Sequence, residues 1–129
     1  MGSGIAALLA EAGNTVQLVE PNKAAWERIQ QRVHKRSAAN PVTITSDLAA
    51  AVTDAQVIIE AAPEVFAIKE TIFRDVDANA PADAIIASNT SELSITALAA
   101  TTNRPAQVAG MHWFNPPERM RLVELIKGL

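Results

Sequence analysis

The sequence predicts an α/β fold, a parallel sheet with helices on both faces. Three observations predict it. Segments with apolar residues at helical spacing alternate with short apolar runs of strand length. Two of those runs, 56–61 (QVIIEA) and 84–88 (AIIAS), lack the polar alternation of a half-exposed strand, which marks burial on both faces. Polar residues cluster directly after the apolar runs, where open parallel sheets bind their ligands.

The elements follow in order. Ile5, Leu8, Leu9 and Ala12 form a helical stripe that Gly13 stops. Residues 15–20 (TVQLVE) form a strand, broken by Pro21-Asn22. Residues 24–36 form an amphipathic helix with Trp26, Ile29 and Val33 on one face. A loop over 37–41 leads to a short strand over 42–45. Ser46 or Asp47 caps a short helix that ends near Val52. After the strand at 56–61, Pro63 opens a helix to about Asp77, with Phe66, Ile68, Ile72, Phe73 and Val76 as core. The strand at 84–88 is followed by a helix of Ile95, Leu98 and Ala99, capped by Ser94. Residues 108–114 form a strand, Asn115-Pro116-Pro117 turns the chain, and 121–126 (RLVELI) is the last strand. There is no internal repeat and no low-complexity linker, so the 129 residues read as one domain.

Composition narrows the function. Hydrophobic residues at 49% and charged residues at 19% fit a globular domain rather than a disordered segment. A net charge of −3, with both signs mixed along the chain, argues against nucleic acid or an anionic membrane as partner. The absence of cysteine excludes disulfides and thiolate metal sites, and His34 and His112 lack metal-ligand spacing, so no metal is expected. No apolar run reaches the roughly 20 residues that span a bilayer. Residues 1–10 resemble a signal-peptide core but lack a basic start, and Glu11 closes them. Gly2 invites myristoylation, yet Ala6 stands where Ser or Thr is needed. The expectation is a cytoplasmic protein without a membrane partner.

The strand-end residues are Glu20, 62–64, 89–91 and 112–115. Taken singly, most have an ordinary explanation. His112 alone reads better as a structural histidine than as a catalyst. Ser91 and Asn115 suit turns, Glu64 reads as an exposed acid at a helix start, and Lys69 as a solvated lysine. Glu124 sits among Leu122, Val123, Leu125 and Ile126, and a carboxylate buried there needs a partner.

Three stretches together change that balance: Glu60-Ala61-Ala62-Pro63-Glu64 with Lys69, then Ser88-Asn89-Thr90-Ser91, then Gly110-Met111-His112-Trp113-Phe114-Asn115-Pro116 with Leu122-Val123-Glu124. In order and spacing they resemble the nucleotide-binding domain of L-3-hydroxyacyl-CoA dehydrogenases, over nearly the whole chain. The resemblance implies a Rossmann domain that binds NAD and oxidises the 3-hydroxyl of an L-3-hydroxyacyl-CoA to the 3-oxo form, a step of fatty-acid β-oxidation. It implies His112 as the base for the hydroxyl proton, since imidazole chemistry is reversible near neutral pH. Glu124 would fix the imidazole tautomer. Ser91 and Asn115 would contact substrate and cofactor. Gly2, Gly4, Glu20, Ala62, Pro63, Glu64, Lys69 and Asn89 would complete the cofactor site. Glu20 lies about 20 residues past the glycine motif, where an acid meets the ribose hydroxyls and repels a 2′-phosphate, so NAD is favoured over NADP.

The chain also departs from the family pattern. Gly2 falls on the third glycine of Gly-x-Gly-x-x-Gly, so a sheet without its first, central strand is expected. The segment between Glu20 and Val42 is shorter than in typical members, which carry an added arm there. The family continues past residue 129 into a helical domain, and its full-length members are usually dimeric or fused to other β-oxidation domains. These points lead to an incomplete domain at 1–129 with little turnover on its own. Two alternatives stay open: a non-catalytic nucleotide-binding fragment, or a dehydrogenase of another 3-hydroxy acid, of the carnitine or gulonate type.

Overall fold

A computed structural model describes residues 1–129. It contains α1 (Gly2–Glu11), β1 (Gln17–Val19), α2 (Trp26–Ser37, entered through a 3₁₀ turn at Lys23–Ala25), β2 (Thr43–Thr45), α3 (Leu48–Val52), β3 (Val57–Glu60), α4 (Phe66–Asn79), β4 (Ile85–Ser88), α5 (Ile95–Ala99), β5 (Val108–Trp113) and β6 (Val123–Lys127). The strands form two sheets. β1 and β2 pair in parallel, and β3, β4 and β5 pair in parallel with β6 added antiparallel at the edge. No ladder joins β1 to β3. The break falls where the resemblance leaves out the central strand.

Each sheet has its own core. Ala7 of α1 and Ile29 and Val33 of α2 pack with Leu18 and Ile44 of the first sheet and with Val42 just before β2. Val52, Phe73, Val76, Ile95, Leu98 and Ala99 of α3, α4 and α5 pack on Ile86 and Val108 of the second. Caps explain the short helices. The Asp47 side chain accepts the Ala50 N–H at 3.0 Å, and Ser94 accepts the Ala97 N–H at 3.2 Å.

Several expectations change. The helix expected from Pro63 begins at Phe66. The Val65 N–H is held by Pro63 O at 2.7 Å, so residues 63–65 are a tight turn rather than a first helical turn. Ile68, expected in the core, is exposed, and Lys69 is buried in its place. The helical period brings Phe66, Lys69, Phe73 and Val76 to one face. The strands at 56–61 and 84–88 are not buried along their whole length: the register partners Val57 and Ile85, at the starts of β3 and β4, are 49% and 46% exposed, and burial deepens toward Glu60 and Ser88. β6 runs antiparallel, since the turn after β5 is too short for a parallel crossover.

Candidate functional site

The carboxyl ends of β3, β4 and β5 enclose an open cleft of about 490 Å³. Ala61, Ala62, Pro63 and Glu64 line it from the end of β3, Asn89 and Ser91 from β4, and His112 to Asn115 from β5. Met1, at the N-terminus of α1, closes another side. Apart from Met1 and Ala61, these are strand-end residues singled out in the sequence; Glu20 and Thr90, also singled out there, do not line the cleft. The volume lies within the range of small-molecule sites, about 300–1,000 Å³.

His112 and Glu124 face each other across the β5–β6 ladder. His112 Nδ1 lies 2.9 Å from Glu124 Oε2. The imidazole is 21% exposed, and Phe114 packs on it with ring centroids 4.7 Å apart. Glu124 is 52% exposed, so the buried carboxylate expected among apolar neighbours is instead an open one with a partner. Gly110 sets the depth of the strand pair. A Cβ there would fall 2.9 Å from Ile126 Cβ, so only glycine lets β6 approach this closely. With an ionised Glu124 accepting from Nδ1–H, the Nε2 lone pair is left to take a proton.

The remaining polar groups take more than one role. Asn89 Oδ1 accepts the Trp113 N–H at 2.8 Å, which ties the ends of β4 and β5 together. The Trp113 indole Nε1 is the one buried side-chain polar atom without a partner, and its residue lines the cleft. Thr90 donates to Glu64 across the cleft wall. Ser91 and Asn115 are exposed at the rim.

Beneath the cleft lies a buried ion pair, Lys69 with Glu60, whose side chains are 1% and 2% exposed. The reading of Lys69 as a solvated surface residue is corrected by this burial. Glu60 and Ser88 were not singled out in the sequence as site residues. The signal for Glu60 was its place at the inward end of an apolar strand, and for Lys69 its place on the apolar stripe of α4.

Four sequence-derived candidates sit apart from the cleft lining. Glu20 ends β1 and accepts the Asn22 N–H at 2.8 Å. Gly2 packs beside Ala61. Gly4 lies under the turn that joins β5 to β6, and a Cβ on it would come within 2.7 Å of Pro117 Cγ and 2.8 Å of Glu118 Oε1. Lys69 lies below the surface. Glu118 is held by Arg32 Nη2 at 2.6 Å. Burial disfavours the Glu118 carboxylate, yet its own backbone N–H and the Arg32 guanidinium outweigh this and lower its pKa.

Known proteins match this arrangement. The family model described as "3-hydroxyacyl-CoA dehydrogenase, NAD binding domain" matches residues 1–129. A probable 3-hydroxybutyryl-CoA dehydrogenase of Bacillus subtilis is 40% identical, over 100% of this chain and 50% of that protein. A 5-formyl-3-hydroxy-2-methylpyridine 4-carboxylate 5-dehydrogenase of Mesorhizobium japonicum is 34% identical, over 99% of this chain and 46% of its own length. The crystal structure of an (S)-3-hydroxybutyryl-CoA dehydrogenase from Ralstonia eutropha superposes with a TM-score of 0.92 at 34% identity, covering 100% of this chain and 51% of that one. The chain thus spans about half the length of the relatives it matches. No helix is long and apolar enough to cross a membrane. With the family model matched over its full span and the fold superposing at a TM-score of 0.92, the chain belongs to the 3-hydroxyacyl-CoA dehydrogenase family, as a domain of its NAD-binding type.

Proposed function

We propose that the cleft receives the nicotinamide end of NAD beside the 3-hydroxyl of an L-3-hydroxyacyl-CoA, and that His112 removes the hydroxyl proton. The cross-strand pair of His112 and Glu124 at 2.9 Å carries this reading. The donor set suits the cofactor. Asn89, Ser91 and Asn115 offer amide and hydroxyl groups above an apolar floor of Ala61, Ala62 and Pro63. The first N–H groups of α1, which have no intrahelical acceptor, suit a phosphate. Bound NAD supplies the acceptor for the hydride from C3.

The chain's own residues do the rest. Glu124 accepts from Nδ1–H and so presents Nε2 to the substrate. As the proton arrives, the carboxylate stabilises the imidazolium. In the reverse direction the imidazolium returns the proton. Ser91 and Asn115, at the rim, orient substrate and the cofactor amide, and Glu20 at the end of β1 receives the adenosine ribose. This chain spans about half the length of the curated relatives it matches.

NADH titration by fluorescence tests the cofactor reading. We expect saturable binding that NAD competes away; binding that NAD does not displace overturns it. Any acetoacetyl-CoA-dependent NADH oxidation should fall by about 10²–10⁴-fold in His112→Gln, with NADH affinity kept. An unchanged rate in that variant removes the mechanism. A second reading, oxidation of a substrate without CoA, is favoured by the likeness to the pyridine-carboxylate dehydrogenase. Faster turnover with a free 3-hydroxy acid or a pyridine alcohol than with the CoA thioester would select it.

A further inference from the structure

The turn after β1 carries two opposite charges that do not meet. Glu20, half-buried at the strand end, is fixed at three points. Its N–H donates to Thr45 O of β2 at 2.8 Å. Its carbonyl oxygen accepts the Trp26 indole N–H at 2.9 Å, and its Oε1 accepts the Asn22 N–H at 2.8 Å. Asn22 Oδ1 accepts the Ala24 N–H at 3.1 Å, which ties the far side of the turn. Glu20 Oε2 keeps its lone pairs for a ligand. Lys23, exposed and three residues on, would be the natural partner of that oxygen. Its ammonium instead lies over the Trp26 ring, 5.9 Å from the centroid.

We propose that Lys23 is a second determinant of nucleotide specificity, a cation beside the Glu20 ribose site that receives a 2′-phosphate, so that the site prefers NAD but admits NADP. The proposal rests on the NAD reading above for the placement of the ribose at Glu20. The repulsion is rigid and the attraction is mobile. A carboxylate held by its own turn can meet a ribose hydroxyl but cannot retreat from a phosphate. Lysine carries its charge on a flexible four-carbon stem, and an exposed cation–π contact is a weak hold. A charge-assisted hydrogen bond to a phosphate dianion is the stronger contact, so the ammonium leaves the ring when a phosphate arrives. With NAD there is no phosphate at this end, and Lys23 stays on Trp26. Lys23 therefore acts on one of the two cofactors only. Trp26 organises both charges, since its N–H fixes the Glu20 backbone and its ring face holds the ammonium in reserve.

Fluorescence titration with NADH and with NADPH tests this in the wild-type chain, Lys23→Ala, Lys23→Arg and Glu20→Gln. The ratio of the two affinities within one protein cancels any general loss of folded material. The wild-type chain should bind both, NADH more tightly. Lys23→Ala should weaken NADPH by about fivefold or more and leave NADH within about twofold. Lys23→Arg should keep the wild-type ratio, and Glu20→Gln should move it toward NADPH. An unchanged ratio in Lys23→Ala overturns the proposal, as does a wild-type chain that binds NADH and not NADPH.

The two tryptophans give a second readout, because their indole N–H resonances report separate places, Trp26 at the ribose end and Trp113 at the cleft. Trp26→Phe assigns them. Adenosine 2′,5′-bisphosphate should shift the Trp26 resonance in the wild-type chain and lose that effect in Lys23→Ala. A shift at Trp113 alone would put the phosphate in the cleft and overturn the role of Lys23. If the wild-type chain bound no NADH, the NAD reading would fall, while the bisphosphate titration would still decide whether Lys23 receives a 2′-phosphate.

Discussion

Lys69 and His112 differ in how far their surroundings are legible in the sequence, and the difference is physical. His112 stands on β5, whose register with β6 pairs Gly110 with Ile126 and His112 with Glu124, so sequence spacing translates directly into the 2.9 Å contact. Lys69 was misjudged as solvated because its chemical class argues for the surface. Only its phase on α4, in step with Phe66, Phe73 and Val76, argued otherwise. Its partner Glu60 lies on another element, and no local pattern announces that meeting. The burial has an energetic signature. Lys69→Met alone strands a buried carboxylate and should destabilise the fold by about 3–5 kcal/mol. Removing both charges as Glu60→Leu/Lys69→Met should recover most of that loss. Urea unfolding of the two variants checks it, and equal destabilisation by both would mean the charges are not coupled.

At the scale of elements, the order of helices and strands was legible because periodicity is local. The ends and directions were less so. The start of α4 moved from Pro63 to Phe66 because the turn before it is held from below by Glu60 and Lys69, a tertiary constraint. The far end of α4 is fixed by another long-range tie. Asp77 accepts the Asn103 N–H at 2.8 Å and the Arg104 Nε–H at 2.7 Å, and Arg104 also donates to the carbonyl oxygens of Asp77 and Pro81. Burial disfavours the ionised Asp77, but the Asn103 hydrogen bonds and the Arg104 guanidinium prevail and lower its pKa. A folded pKa below the unfolded one places the stabilising effect above the ordinary carboxylate range. It is lost as the pH falls from roughly 4 through the lower folded value. Asp77→Asn should therefore cost about 1–3 kcal/mol at neutral pH and lose less stability than wild type on acidification. Urea midpoints at neutral and acid pH check both parts. An equal acid loss in the variant would place the sensitivity elsewhere.

At the scale of the molecule, the division of the sheet follows from a count of strands that the sequence already permitted. The exposure of Val57 and Ile85 at the starts of β3 and β4 was not legible, because an apolar run does not say how far along it the covering helices reach. β1 and β3 each pair on one side only, so both carry an unpaired row of backbone N–H and C=O groups. Open edges of this kind recruit other strands. We expect concentration-dependent self-association that Val57→Lys weakens, measured by sedimentation velocity. Association indifferent to that substitution would exonerate the β3 edge. The two cores are nevertheless tied. The turn between β5 and β6 reaches across the molecule, seating Pro117 on Gly4 and pairing Glu118 with Arg32 of α2. Met1 on one side of the cleft and the ends of β3 to β5 on the other belong to these separate halves. A molecule filling the cleft is then a mechanical strut between them. We expect ligand to raise the temperature of unfolding and to narrow the melting curve, which calorimetry with and without NADH checks.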